Sequence, residues 1–196
     1  MFSGTTNFYR KAESAVREQK PNEAQKYVAE ALAIDPDYAD ALTLRGILEL
    51  DANQLERAGT DLERAIRCDS NYPLAYVALG AVYNVTSRFD DAIRALKRGI
   101  SLNPTAWQGY FELGKAYLGK GDYEASLRQL SKVQQMAPKY ALVHLVKAHA
   151  LLGMKDYSNA MTELESYLKS DPRGAQSAKA RQTLDQVHAF AASNPK

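Results

Sequence analysis

The chain is poor in the residues that would announce chemistry. It has one cysteine, Cys68, so no internal disulfide can staple it and no oxidising framework is implied. No apolar run approaches the ~20 residues needed to span a bilayer, so no membrane is expected as a partner. No glycine-rich loop is laid out to cradle phosphate. Charge of one sign is also missing. Lys and Arg number 25 against 23 Asp and Glu, a formal net charge of +2, whereas nucleic-acid binders usually carry a clustered basic surface. No nucleic acid is therefore expected. Residues 1–10 lack a basic start followed by an apolar core, so no signal peptide is read there. The expected location is cytoplasmic by default, or periplasmic if a targeting segment has been removed.

What is present is a period. Pro36, Pro104, Pro138 and Pro172 lie 68, 34 and 34 residues apart, and Ser70 fills the missing place in the series. Around it, Asp69-Ser70-Asn71-Tyr72 matches Asp35-Pro36-Asp37-Tyr38. A period held in register without insertions marks a repeat protein. It defines units 5–38, 39–72, 73–106, 107–140 and 141–174. Within each unit, apolar residues recur at three- and four-residue spacing in two segments, which predicts two amphipathic helices. Turn residues separate them at Lys20-Pro21-Asn22, Lys120-Gly121-Asp122 and Lys155-Asp156-Tyr157. Asp122 and Asp156 are placed to cap the second helices of their units.

Large residues occupy repeat position 4 (Phe8, Leu42, Tyr76, Tyr110, His144). Small ones occupy position 8 (Ala12, Gly46, Gly80, Gly114, Ala148) and position 20 (Ala24, Ala58, Ala92, Ser126, Ala160). With Tyr110-Phe111-Glu112-Leu113-Gly114-Lys115-Ala116-Tyr117-Leu118-Gly119-Lys120-Gly121-Asp122-Tyr123, these residues closely resemble the tetratricopeptide repeat signature. The resemblance covers residues 5–174. It implies an all-α, right-handed α-solenoid of five helix-turn-helix hairpins forming a single domain. Position 8 is expected to face position 20 closely, with Phe89, Tyr123 and Tyr157 at position 17 wedged between hairpins. Pro21 and Leu55 depart from that aromatic, and Gly99, Val133 and Tyr167 depart from the family's alanine at position 27. Residues 175–192 are predicted to form a closing helix, with Ala180, Leu184 and Val187 inward and Lys179, Arg181 and Asp185 outward. Residues 193–196 are expected to be a tail.

The resemblance also implies a binding protein without cofactors rather than an enzyme. In the family, partner segments lie in a concave face lined by positions 2, 5, 9, 12 and 13 of the first helices. From those positions, Tyr9, Glu13, Thr43, Ile47, Val77, Asn84, Phe111, Lys115, Leu145 and His149 are the candidate contacts. One subclass clamps a chaperone's terminal carboxylate with Lys, Asn and Arg, but the corresponding places hold Tyr9, Glu13, Ile47, Leu74 and Ala78. The expected partner is instead an apolar or amphipathic protein segment. Many of these positions also pack between hairpins, so each carries a structural reading beside the binding one. Alternative uses are self-association into a homo-oligomer, or service as one module of a larger multidomain protein.

Remaining candidates are read as structural. His144 and His149 are five residues apart, about 140° around a helix, with no cysteine or carboxylate expected beside them, so no metal site is predicted. Cys68 is expected to be a buried or semi-buried small residue, and His188 half-exposed. Asp90, Asp91, Arg94, Lys97 and Arg98 are read as a solubilising outer face. Residues 5–72 carry nine basic and thirteen acidic side chains, and residues 73–196 sixteen and ten. The N-terminal third is thus mildly acidic.

Overall fold

Every hairpin is closed by the same backbone turn. At repeat position 15, Gln19, Asn53, Ser87, Gly121 and Lys155 adopt left-handed φ values of 58, 58, 58, 83 and 62°. The next amide reaches back five residues in each case, as in Lys20 N to Ala15 O at 2.8 Å and Arg88 N to Tyr83 O at 2.8 Å. This reverse turn satisfies carbonyls that a helix end would otherwise leave open. Only one of the five is glycine, so four L side chains accept a conformation they ordinarily avoid.

The computed structural model describes residues 3–193, and the chain divides into two compact units, Met1–Asn103 and Pro104–Lys196. In the first, α1 (Ser3–Arg17) pairs with α2 (Pro21–Ile34), α3 (Ala39–Asp51) with α4 (Leu55–Cys68), and α5 (Pro73–Val85) with α6 (Phe89–Leu102). In the second, α7 (Trp107–Lys120) pairs with α8 (Tyr123–Met136), and α9 (Leu142–Gly153) with α10 (Tyr157–Ser170). The closing helix α11 (Ser177–Ser193) packs on α10. Pro21 and Pro73 stand in the first turns of α2 and α5, where no amide donor is needed. Asp122 and Asp156 cap α8 and α10 by accepting from Ala125 N at 3.0 Å and Asn159 N at 3.3 Å.

Close approach within hairpins rests on position 8. A Cβ on Gly46 would fall 2.7 Å from Leu62 Cγ, and one on Gly80 2.4 Å from Leu96 Cγ. The position-20 backbone is also near, with Ala58 O 3.2 Å from the Gly46 point. The tightest neighbour, however, is the leucine at position 24, which the repeat spacing alone does not single out. Leu62, Leu96 and Leu130 are fully buried there, each worth about 1.5–3 kcal/mol of burial. Ser126 at position 20 adds a hydrogen bond, its Oγ donating to Gly114 O at 2.8 Å.

The environment of positions 17 and 27 depends on the helix packed against them. Tyr123 lies against Gly153 of the next hairpin, where a Cβ would sit 2.3 Å from its ring. Tyr157 meets Phe190 of the closing helix with ring centres 4.9 Å apart and planes tilted by 53°. Gly99 at position 27 meets Pro73 O and Val77 so closely that a Cβ would be 3.1 and 3.0 Å away. Tyr167, the large residue at that position, is fully buried among Leu145, Leu164 and Ala180. Among the described residues its hydroxyl has no hydrogen-bond partner.

The closing helix starts at Ser177 rather than 175, because residues 174–177 turn first: Gly174 N donates to Asp171 O and Ser177 N to Gly174 O. Ala180 and Val187 are buried, and Lys179, Arg181 and Asp185 are exposed. It extends through Ser193, which is therefore not part of a tail; residues 194–196 lie outside the described residues.

A second periodic contact joins positions 7 and 23 across a hairpin. Lys11 lies over Tyr27 at 5.6 Å, Arg45 pairs with Asp61, and Lys147 pairs with Glu163. The third and fourth hairpins place Leu79 with Ala95 and Leu113 with Gln129 at these positions.

Candidate functional site

The first-helix face of the first unit carries Tyr9 and Glu13 on α1, Thr43 and Ile47 on α3, and Val77 and Asn84 on α5. Thr43 is fully buried, and the other five are partly buried. Exposed apolar side chains stand on the same face: Val16 is 42% exposed, Leu74 45% and Val85 52%. They occupy repeat positions 12, 2 and 13.

Aromatic and acidic groups cluster at one end of this face. The rings of Tyr9 and Tyr38 meet edge-on at 5.6 Å and 84°. Tyr72 hydrogen-bonds to Tyr9 and to Asp40. Burial, then the charges of Glu13 and Asp40, push the Tyr9 phenol up to about 12. Burial likewise raises Tyr72 and Tyr38, with Asp40 adding to both. The phenols thus stay protonated and can donate hydrogen bonds, while Glu13 and Asp40 supply negative potential. Tyr38 and Tyr72 are absent from the contacts expected from sequence. Their shared place at position 34, just before the next first helix, is the signal that marks them.

The second unit repeats the aromatic arrangement. Tyr140, again at position 34, meets Phe111 edge-on at 5.0 Å and 87°, and Trp107 at 4.4 Å. Phe111 and Leu145 are each only 8% exposed, so their side chains are engaged mainly in packing. Lys115 bonds to Glu112 Oε1 at 2.9 Å and lies 5.7 Å from the Phe111 ring. His149 is at the surface, where crowding by its neighbours and then the charge of Lys179 hold it below the usual imidazole range.

Three expectations are corrected. His144 does have a carboxylate beside it: Glu163 Oε2 lies 2.6 Å from its Nδ1, and Lys147 completes the cluster. Glu163 is 19 residues away in sequence and arrives only when the hairpin closes. Cys68 is exposed rather than buried, because it is the last residue of α4. Local desolvation and then Asp37, whose Oδ1 is 3.6 Å from the sulfur, push its thiol up and oppose thiolate chemistry. His188 is exposed rather than half-exposed. Among the described residues, no group of three or more His, Cys, Asp or Glu could hold a metal ion, and no helix is long and apolar enough to cross a membrane.

One tetratricopeptide repeat model matches residues 9–73 and 78–141, and a second matches 117–184. The chain belongs to the tetratricopeptide repeat family. No curated protein matches it in sequence. Solved structures share the fold at low identity. The tetratricopeptide protein TTC0263 of Thermus thermophilus is 16% identical with a TM-score of 0.76, covering 94% of this chain and 99% of its own. A MamA fragment from Desulfovibrio magneticus RS-1 is 18% identical with a TM-score of 0.70, over 88% and 98%. YrrB, described as a tetratricopeptide protein with an unusual peptide-binding site, is 18% identical with a TM-score of 0.66, over 89% and 90%. As a tetratricopeptide repeat protein, the chain is built from stacked helical hairpins.

Proposed function

We propose that this protein is a non-enzymatic adaptor whose first-helix face takes an amphipathic segment of a partner protein. The observation that carries the reading is the exposed apolar set Val16, Leu74 and Val85 on the face where tetratricopeptide proteins take partners. Partly buried Ile47, Val77 and Asn84 lie on the same face. A segment docked there would bury its apolar side against these residues. A basic side chain on that segment suits the end lined by Tyr9, Glu13, Asp40 and Tyr72. In the second unit, Lys115 and His149 offer polar contacts beside the largely packed Phe111 and Leu145. The peptide-binding site named for YrrB supports a peptide-sized ligand.

The test is capture from the native organism followed by mass spectrometry, with three proteins in parallel. They are the parent, a Leu74→Asp/Val85→Asp variant, and a Met136→Asp control that alters an exposed apolar residue on α8. A partner held by the parent and the control but lost from the double variant is the expected result. Capture indifferent to Leu74→Asp/Val85→Asp overturns the reading. A parent dimer in sedimentation that the same pair of substitutions abolishes would instead assign the face to self-association.

A further inference from the structure

The third hairpin is open where the second and fifth are bridged. Positions 7 and 23 hold Arg45 with Asp61 in the second hairpin and Lys147 with Glu163 in the fifth. In the third they hold Leu79 and Ala95, which cannot form an ion pair. Both line a cleft of about 460 Å³ between α4, α5 and α6. That is within the ~300–1,000 Å³ range of ligand pockets.

The floor is apolar and aromatic, formed by Ile66, Tyr76, Leu79, Tyr83 and Ala95. The rim is cationic. Arg67, Arg94 and Arg98 line it together with Glu63 and Asp91. The three guanidiniums outnumber the two carboxylates. Asp91 is held by Arg94 and by Arg88 at 2.6 Å, and Glu63 accepts from the Tyr83 hydroxyl at 3.3 Å. Arg98 reaches only neutral groups, Ser70 O at 3.5 Å and Asn71 Oδ1 at 3.3 Å, and lies 6.0 Å from the Tyr76 ring centre. Arg67 makes no ion pair among the described residues. The cleft therefore combines an unfilled apolar floor with guanidinium charge not balanced by acid.

Its place on the helix separates it from the first-helix binding face. Tyr76, Leu79 and Tyr83 stand at positions 4, 7 and 11, roughly 160° around α5 from the mean of positions 2, 5, 9, 12 and 13 at 100° per residue. We infer that this cleft is a second docking site, which seats one aromatic side chain of a protein segment whose flanking residues are acidic. The ring would rest on Leu79 and Ala95 between Tyr76 and Tyr83, where edge-on aromatic contact is favourable. The flanking carboxylates would meet Arg67 and Arg98, whose planar forks match carboxylate geometry. Nucleic acid fits less well, because a phosphate backbone is held by an extended basic surface and this rim offers only a short arginine cluster.

The experiment uses the full chain, isotopically labelled for NMR, and three synthetic peptides. The first has one central phenylalanine with three acidic residues on each side. The second replaces that phenylalanine by alanine, and the third replaces the acids by lysines. The first should shift resonances of Ile66, Leu79, Tyr83 and Ala95, and the other two should bind at least about tenfold more weakly. Ala95→Met, which fills the floor, and Arg67→Glu/Arg98→Glu, which reverses the exposed rim, should each weaken the first peptide by at least about tenfold. Circular dichroism checks both folds; should Ala95→Met fail to fold, the exposed charge pair decides alone. Leu74→Asp/Val85→Asp should leave this binding unchanged, which separates its failure from failure of the adaptor reading. Shifts centred elsewhere, equal binding of the alanine peptide, indifference to the rim variant, or no binding at millimolar peptide overturns the inference. Displacement of the peptide by single-stranded DNA at lower concentration than by unlabelled peptide would assign the cleft to nucleic acid and overturn it too.

Discussion

Arg45 and Asp61 are joined across the second hairpin by a forked contact, with Nη2 2.7 Å from Oδ1 and Nε on Oδ2. Asp61 is only 7% exposed, so guanidinium rather than water solvates its charge. Glu49 sits one helical turn beyond Arg45, with Oε2 buried beside Asp61. Asp61 is thus bridged by Arg45 while the charges of Arg45 and Arg57 both act on Glu49, and Lys147 with Glu163 repeats the bridge three units later.

Removing that cation should be costly, and removing the pair should not. Arg45→Met leaves Asp61 buried beside Glu49 and should destabilise the protein by about 2–3 kcal/mol. Arg45→Met/Asp61→Leu, which makes the site as apolar as its counterpart in the third hairpin, should recover most of the loss. A double-mutant cycle in urea measures the coupling; equal losses in the single and double variants would refute a shared bridge.

Glu49 should make stability depend on pH. Burial first, and then Asp61, raise its carboxyl above the ordinary 4.5, with Arg45 offsetting part of the rise. The folded chain then holds this proton more tightly than the unfolded chain does. The resulting stability is present at acid pH and is lost as pH rises through the folded-state value. Glu49→Gln should therefore melt higher than the parent at neutral pH, with the gap narrowing as pH falls through the folded-state value and closed below 4.5. Melting curves across that range provide the check.

One substitution at two glycines should give opposite signs. At Gly59, on a partly exposed face of α4, a new Cβ finds its nearest neighbour, Val82, at 3.9 Å. Gly59→Ala should stabilise by about 0.5–1 kcal/mol through helix propensity. At Gly80 the same atom lands 2.4 Å from Leu96 Cγ. Gly80→Ala should lose about 1–3 kcal/mol despite the same propensity gain. Chemical denaturation of the two variants decides it.

Tyr167→Phe should raise the melting temperature. The ring fills space between α9, α10 and α11, while its buried hydroxyl makes no hydrogen bond among the described residues. Deleting the oxygen keeps the packing and removes a desolvated polar group, a gain of about 1 kcal/mol. Tyr167→Ala, by contrast, opens a cavity and should cost about 3–5 kcal/mol.

The hairpins are legible in the sequence because their determinants are local or periodic. Helix caps at Asp122 and Asp156 and small residues at position 8 recur at fixed spacing, whereas the left-handed turn at position 15 leaves no common residue to read. The side-chain partners are harder to read. Glu163 reaches His144, Asp61 reaches Arg45, and Tyr72 reaches Tyr9 only after hairpins close and stack, and no single helix shows such pairs. Exposure is also partly hidden. A hydrophobic residue at a first-helix position can be packed, as Phe111 and Leu145 are, or left open, as Leu74 and Val85 are. Which of these occurs depends on neighbours contributed by other helices.

The left-handed turns hold one geometry while their residues change freely. Gln19, Asn53, Ser87, Gly121 and Lys155 are all exposed, and they serve one backbone shape with five unrelated residues. The helix ends impose that shape, so the chain offers one interchangeable anchoring address per hairpin. With Cys68 replaced by serine, a lone cysteine at position 19, 53, 87 or 155 would carry a fluorophore clear of the core, and two such cysteines among 19, 53 and 87 would carry a pair of dyes that reads distances within the first unit while a partner is bound.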